Sequence, residues 1–434
     1  MRTIDLRGRE LSPAGMLAAV PRATQARAEA LETATRIVDD VRDRGEAALR
    51  EQAERFDRVT DHAVRVPAEH LTEALASVDP TVRAALEEAI VRVRQGSEAQ
   101  VPAPQITEIG PGARILQRWQ PVARAGVYIP GGKAPLASSV VMNVVPAQVA
   151  GVQHIALASP PQADHDGRIH PTILAAAALL GISEVYAMGG AGAIGALAWG
   201  VPTIGLDPVD VVSGPGNNFV ASAKRAVAGV VGTDSEAGAT EILIVADASA
   251  DPRLVAADLI SQAEHDEQAS AVLVTDAVEL AEQVAVEVDR QAAATRHSER
   301  VRVALDGPQS AIVLVDDRAM ATAFSNAYAP EHLELHLVDA EEAASAFTSA
   351  GAVFVGDQTP VSLGDYMAGS NHVLPTGGQA RYAPGLGAYT FLRPQQVISY
   401  DREALASVRE GVVALANAEV LPAHGEAIEA RFTA

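Results

Sequence analysis

The sequence predicts an α/β protein built from two α/β units, and three observations carry that expectation. Short apolar runs recur beyond Pro111, alanine-rich helical stretches separate them, and glycine-rich turns close several of them. The first series of runs is Gly126-Val127-Tyr128-Ile129, Ile155-Ala156-Leu157-Ala158 and Glu184-Val185-Tyr186-Ala187-Met188. The second is Ile242-Leu243-Ile244-Val245, Ala271-Val272-Leu273-Val274, Ile312-Val313-Leu314-Val315 and Val353-Phe354-Val355. Runs of this length and texture suit strands buried on both faces of a sheet. Upstream, from Gln25 to Gln100, apolar positions such as Leu49, Ala53 and Phe56 fall at helical spacing among charges, which predicts a helical layer. After Gly377 the periodicity weakens until a helical stretch from Arg402 to Asn417, so the end of the chain reads as an arm.

Composition narrows the function. Asp and Glu outnumber Lys and Arg by 55 to 33, for a formal charge of -22. That balance repels phosphate backbones and anionic headgroups, so neither nucleic acid nor membrane is expected as a partner. Nowhere do about 18 apolar residues run uninterrupted, and the stretch from Val140 to Val152 is broken by Asn143, Pro146 and Gln148, so no membrane span is expected. The start, Met1-Arg2-Thr3-Ile4-Asp5-Leu6-Arg7, lacks the apolar core of a secretory signal, and a cytoplasmic location is expected. There is no cysteine. Disulfides, thiolate metal sites and a thiol nucleophile are therefore excluded, and any metal must sit on nitrogen and oxygen ligands. An aldehyde oxidised without a thiohemiacetal has hydration to a gem-diol as its natural route.

Four polar constellations stand out. Ser261-Gln262-Ala263-Glu264-His265 closes a helical run, and Gln262 and His265, three apart on one face, can bind one metal ion; the same spacing also suits an ordinary surface or core pair. Pro330-Glu331-His332-Leu333 places an acid and a base side by side where helix gives way to strand, fit for proton transfer at one centre or for a turn cap beside a packed ring. Ser362-Leu363-Gly364-Asp365-Tyr366, followed by Gly369-Ser370-Asn371-His372-Val373-Leu374-Pro375, comes just after a predicted strand, where α/β proteins place binding loops. There Asp365 is a candidate cation ligand or an Asx-turn residue. Last comes Leu421-Pro422-Ala423-His424-Gly425-Glu426, whose histidine is remote from the others. His62, His70, His154, His165, His170, His297 and His336 have no partner at ligand spacing and read as structural or solvated.

Three glycine turns, Pro130-Gly131-Gly132, Gly189-Gly190-Ala191-Gly192 and Gly214-Pro215-Gly216-Asn217, each follow a predicted strand and are candidate pyrophosphate cradles. Residues 190 to 195 also match the dinucleotide fingerprint literally, with Asp210 about 20 residues onward.

Taken together, Ser-Gln-Ala-Glu-His at 261–265, Pro-Glu-His-Leu at 330–333, Gly-Asp-Tyr at 364–366 and Asn-His-Val-Leu-Pro at 371–375 resemble the histidinol dehydrogenase family in content and order. The likeness continues into Ala423-His424, Tyr128-Ile129-Pro130-Gly131-Gly132 and Gly214-Pro215-Gly216-Asn217, and so spans nearly all of the chain past residue 110. It implies an intertwined homodimer of two incomplete Rossmann-like α/β/α domains with small N- and C-terminal extensions. The limits that follow are an arm at 1–28, a discontinuous larger domain from 29–125 with 241–380, a second domain at 126–240 with the NAD turns, and a dimerisation tail at 381–434.

The resemblance also implies chemistry. One Zn²⁺ per subunit would be held by Gln262, His265, Asp365 and His424, the last reaching over from the partner subunit. Three neutral ligands and one carboxylate leave net positive charge on the ion, which favours an amine or imidazole nitrogen and an alcohol oxygen of substrate. NAD is the expected cofactor and L-histidinol the expected substrate. His332 would take the hydroxyl proton, and Glu331 would activate water to hydrate the aldehyde. Thr240, His372 and Glu419 would contact substrate together with His332 and the zinc ligands, and Tyr128, Gly192 and Asn217 would line the cofactor site. The family's cofactor site is not the standard fingerprint, which discounts the literal match at 190–195. Two departures stand out: Gly192 replaces a common glutamine that touches the cofactor, and Ala239-Thr240 replaces a common Pro-Ser. The competing readings are a paralogue that oxidises another small polyol or sulfonated diol, and a zinc hydrolase with metal-activated water. A non-catalytic metal scaffold would have no use for the Glu-His pair.

Overall fold

A computed structural model describes residues 1–22, 27–131, 134–235 and 238–433. Gln25, where the helical pattern is expected to begin, and Gly132 of the first glycine turn lie outside the described residues. The chain divides into two units, Met1–Gln100 with Val122–Phe391, and Val101–Pro121 with Leu392–Ala434.

The strands, in chain order, are β1 (Arg2–Asp5), β2 (Gln105–Gly110), β3 (Ala113–Pro121), β4 (Arg124–Tyr128), β5 (His154–Ser159), β6 (Glu184–Ala187), β7 (Val211–Ser213), β8 (Gly232–Thr233), β9 (Glu241–Ala246), β10 (Ser270–Thr275), β11 (Ala311–Leu314), β12 (His332–His336), β13 (Ala352–Val355) and β14 (Leu392–Tyr400). The first unit holds two parallel sheets, in the orders β1-β11-β10-β9-β12-β13 and β6-β5-β4-β7-β8. Residues of β9, β10, β11 and β12 are buried without alternation, as expected of strands covered by helices on both faces. Both α/β series read from the sequence are therefore present, one in each sheet.

Two expected boundaries do not hold. Residues 1–28 are not a free arm, because β1 pairs with β11 and Leu6, Met16 and Val20 are buried in the core of the six-stranded sheet. Nor does all of 29–125 belong with that sheet. The Arg27–Arg44 helix packs on the Gly190–Trp199 and Asn218–Ala226 helices, and Ala34, Val38, Val41 and Leu49 share a core with Tyr128, Tyr186 and Leu197. Gly195 makes this approach possible, since a Cβ there would lie 3.1 Å from the Cα of Val38.

In the five-stranded sheet the order reverses between β4 and β7, and ligands of open α/β sheets bind at such a switch point, outside the carboxyl ends of the strands. The turn after β7 is built closely against β4. Gly214 has φ +118°, and a Cβ on it would sit 2.0 Å from the carbonyl oxygen of Tyr128. Buried Lys224 and Asp234, 2.5 Å apart, clamp the turn, with Asp234 accepting the Gly214 N–H at 2.9 Å.

The second unit is an antiparallel sheet in the order β14-β3-β2, followed by the Arg402–Ala418 and Pro422–Glu429 helices. The expected tail at 381–434 thus shares its sheet with residues from 105 to 121, a long-range pairing that local sequence pattern does not reveal. No helix among the described residues is long and apolar enough to cross a membrane.

Candidate active site

The parallel pairing of β12 with β9 sets His332 beside Ile242 and brings the amino ends of the two strands together. Glu331 and His332 on one side therefore meet Thr240 and Glu241 on the other. Beneath them the Pro252–Ala263 helix, capped by the Asp251 side chain, delivers Gln262 in its last turn, with His265 just beyond. Both sequence motifs sit at the amino edge of the sheet. Asp365 follows β13, yet it does not occupy a loop outside that strand's carboxyl end, as expected. The Val361–Tyr366 helix turns back, so that Val361 meets Glu334 while Asp365 lies near His332 at the amino edge.

A chain of hydrogen bonds orders the centre. Nε2 of Gln262 donates to Thr240 Oγ1 at 2.5 Å, and the Thr240 hydroxyl donates to Glu331 Oε2 at 2.5 Å. The Glu241 N–H donates to the same carboxylate oxygen at 2.9 Å. The Glu241 carbonyl lies 3.1 Å from His332 Nδ1, and because a carbonyl only accepts, Nδ1 carries the proton and Nε2 is left with the lone pair. His372 is fixed in the same way: its Nδ1–H donates to the Asp365 carbonyl at 3.0 Å, and Nε2 accepts from the Ser139 hydroxyl at 3.1 Å. Asn371 Nδ2 donates to the Met142 carbonyl at 2.6 Å, which docks this loop on the Ala137–Ala150 helix.

Burial tunes the acid and the bases. Glu331 is pushed up to about 7 by burial, against the pull of the Thr240 and Glu241 hydrogen bonds and of nearby His265. Burial lowers His332 and His372, with Asp365 acting in the opposite direction on both. A carboxyl poised near neutrality beside an imidazole kept neutral is the combination that general acid–base chemistry requires. The same shift has a consequence for stability. Because the folded-state value of Glu331 lies above its ordinary 4.5, its contribution is fully present below the ordinary carboxylate range and is lost as pH rises through about 7. Thermal melts of the metal-free protein are therefore expected to show Glu331→Gln gaining stability at pH 8 and little at pH 5. Equal gains at both pH values would contradict this.

The donor set suits a metal ion. With Nε2 of Gln262 committed to Thr240, its Oε1 is the free end of the amide, and that oxygen is buried with no hydrogen-bond partner among the described residues. A buried unpaired acceptor costs free energy unless something occupies it, and a cation does so. His265 and Asp365 both lie close enough to shift the ionisation of Glu331 and His372. Gln262 and Asp365 also sit in the last turns of their helices. His424 and Glu419 belong to the second unit, His424 on the Pro422–Glu429 helix and Glu419 just after the Arg402–Ala418 helix, and both are exposed.

On the five-stranded sheet, Tyr128 closes β4, and its buried hydroxyl accepts the Gly190 N–H at 3.1 Å. Asn217 caps the Asn218–Ala226 helix by accepting from Phe219 and Val220. These two residues flank the switch point. At Gly192, Oε1 of Gln52, from the preceding helical layer, lies 1.9 Å from where a Cβ would be. A glutamine amide thus fills the space at this position without being attached to it.

Sequence reading missed several contributors. Ser139, the Glu241 carbonyl and Gln52 carry no local signal. His336, read from sequence as structural or solvated, is buried, its Nε2 3.3 Å from Glu334 and 3.7 Å from Asp258. The signal was the two-residue spacing of Glu334 and His336, which puts both on one face of a strand. Among the described residues, potential ligand atoms of Asp258, Glu334 and His336 lie within 4.8 Å of one another.

A buried acid–base pair beside an amide oxygen open to a cation, set in parallel α/β layers, is the site of an enzyme, and the comparisons make that enzyme an oxidoreductase. A family model described as histidinol dehydrogenase matches residues 20–432. Curated relatives named histidinol dehydrogenase include one from Leifsonia xyli, 63% identical over 432 residues and covering 100% of this chain and 99% of the relative. Another, from Thermobifida fusca, is 56% identical over 429 residues, covering 99% and 97%. The crystal structure of histidinol dehydrogenase from Elizabethkingia anophelis superposes with a TM-score of 0.92 at 33% identity, covering 100% of this chain and 98% of that one. The chain belongs to the histidinol dehydrogenase family.

Proposed function

We propose that this enzyme oxidises L-histidinol through L-histidinaldehyde to L-histidine, the closing steps of histidine biosynthesis, in the cytoplasm. The observation that carries the reading is the unpaired, buried Oε1 of Gln262 beside the Glu331–His332 pair. Gln262, His265, Asp365 and His424 of the partner subunit would hold zinc, which would supply Lewis acidity toward the substrate amine and hydroxyl, and Tyr128, Gly192 and Asn217 would seat two NAD molecules in turn, one hydride acceptor for each oxidation.

The residues of the chain divide the remaining work. His332 Nε2, its partner nitrogen held by the Glu241 carbonyl, takes the hydroxyl proton as the alcohol becomes aldehyde. Glu331 takes a proton from the water that adds to the aldehyde carbon, and the hydrate so formed is the species oxidised in the second step. A chain with no cysteine needs this hydrate, since it has no thiol to add to the carbonyl. Thr240 holds both the Glu331 carboxylate and the Gln262 amide, coupling base and ligand. His372, anchored by Ser139 and Asp365, and Glu419 of the partner subunit orient the substrate. Gln52 offers the amide that Gly192 lacks. Exposed apolar residues of the second unit, including Ile106, Ile398, Leu415 and Val420, support burial against a second copy.

The test is stoichiometric. Purified protein given L-histidinol and NAD is expected to release two NADH per histidine, to lose that activity on chelation and to regain it with zinc. Absence of NAD binding would point to a hydrolase. Turnover of a small diol without turnover of histidinol would point to a paralogous oxidation.

A further inference from the structure

Below the catalytic layer lies a second layer of buried ionisable groups that the proposed chemistry does not use. Glu334 is 1% exposed, and its carboxylate has three partners. Oε1 accepts the Val361 N–H at 2.7 Å, Oε2 lies 3.3 Å from Nε2 of His336, and Asp258 shares a hydrogen bond with it. Burial and the charge of Glu334 push Asp258 up to about 7.

Glu334 and two of its partners, Asp258 and Val361, each stand one structural repeat from an active-site residue. Glu334 follows His332 by two on β12, which places the two side chains on one face of the strand. Asp258 precedes Gln262 by four on the Pro252–Ala263 helix, and Val361 precedes Asp365 by four on the Val361–Tyr366 helix, again the same-face spacing. One carboxylate thus ties together the strand of the base and the helices of two proposed ligands. Close packing leaves little slack: a Cβ on Gly364 would lie 2.6 Å from the Phe354 ring, and that ring sits 6.0 Å from the His332 ring.

From this geometry we propose that Glu334 is a positioning residue, which fixes Gln262 and Asp365 relative to His332 and so sets the affinity of the metal site. The proposal rests on the zinc reading above and names a determinant of it. Outer groups that orient metal ligands typically govern affinity by roughly 10- to 100-fold, and a loss in that range is expected for Glu334→Ala.

The experiment measures zinc affinity by chelator competition on folded full-length protein, alongside kcat and the KM for NAD. Glu334→Ala should weaken zinc within that range and leave the KM for NAD unchanged. Glu334→Gln keeps an acceptor for the Val361 N–H and should recover most of the affinity. Asp258→Asn, whose amide can donate to Glu334, should stay close to wild type and guards against misfolding of the alanine variant. Wild-type zinc affinity in Glu334→Ala would overturn the proposal. A stoichiometry of two zinc ions per chain, falling to one in that variant with the activity-linked site unchanged, would overturn it in favour of a second cation site. If the wild-type protein binds no zinc, the functional reading itself fails, an outcome distinct from either.

Discussion

Replacing His332 by Asn is expected to depress both oxidations by about 10²- to 10⁴-fold, the usual worth of a positioned general base. The asparagine amide can still donate to the Glu241 carbonyl where Nδ1–H does now, so the surroundings keep their hydrogen bond and only the lone pair at Nε2 is lost. Glu331→Gln is the informative partner. Its amide oxygen can accept the Thr240 and Glu241 donors that the carboxylate accepts today, yet it cannot take a proton from water. Assayed separately, oxidation of the alcohol should survive far better than oxidation of the aldehyde. Equal losses on the two substrates would reject the division of labour.

The second large effect concerns the origin of the fourth proposed ligand. His424→Ala and Asp365→Ala, each alone, are expected to lose more than about 100-fold in zinc-dependent turnover, since even outer-shell changes cost 10–100-fold. Unfolded together and refolded as a mixture, they should recover activity. In a twofold-symmetric dimer with ligands donated across the interface, each mixed dimer carries one site with both lesions and one with neither. Random pairing then restores about a quarter of the sites. A mixture that stays inactive would show that His424 serves its own chain or none.

The fold class was legible because strands buried on both faces leave unbroken apolar runs, as at Ile242–Val245 and Ala271–Val274. The motif residues were legible because the chemistry concentrates unusual pairs, Glu331 with His332 and Gln262 with His265. The antiparallel sheet of the second unit was not, because β3 pairs with β14 nearly three hundred residues away and its register exists only in three dimensions. The same limit hid the contact of the Arg27–Arg44 helix with the five-stranded sheet. It also hid Gln52, whose bearing on Gly192 depends on two helices meeting. Glu334 and His336 were hidden differently: their spacing was plain, but a strand's two faces cannot be told apart until the sheet around it is known.

Two of the proposed metal ligands arrive at the tail ends of their helices, Gln262 from one and Asp365 from another. Outward-pointing carbonyls at such ends carry partial negative charge, so the backbone alone biases this corner toward positively charged visitors. With an overall charge of -22, the field of the whole protein favours a protonated amino alcohol, the substrate class proposed above, over an organic acid of similar size. Discrimination among metabolites thus begins in the approach, before any side chain has touched the incoming molecule.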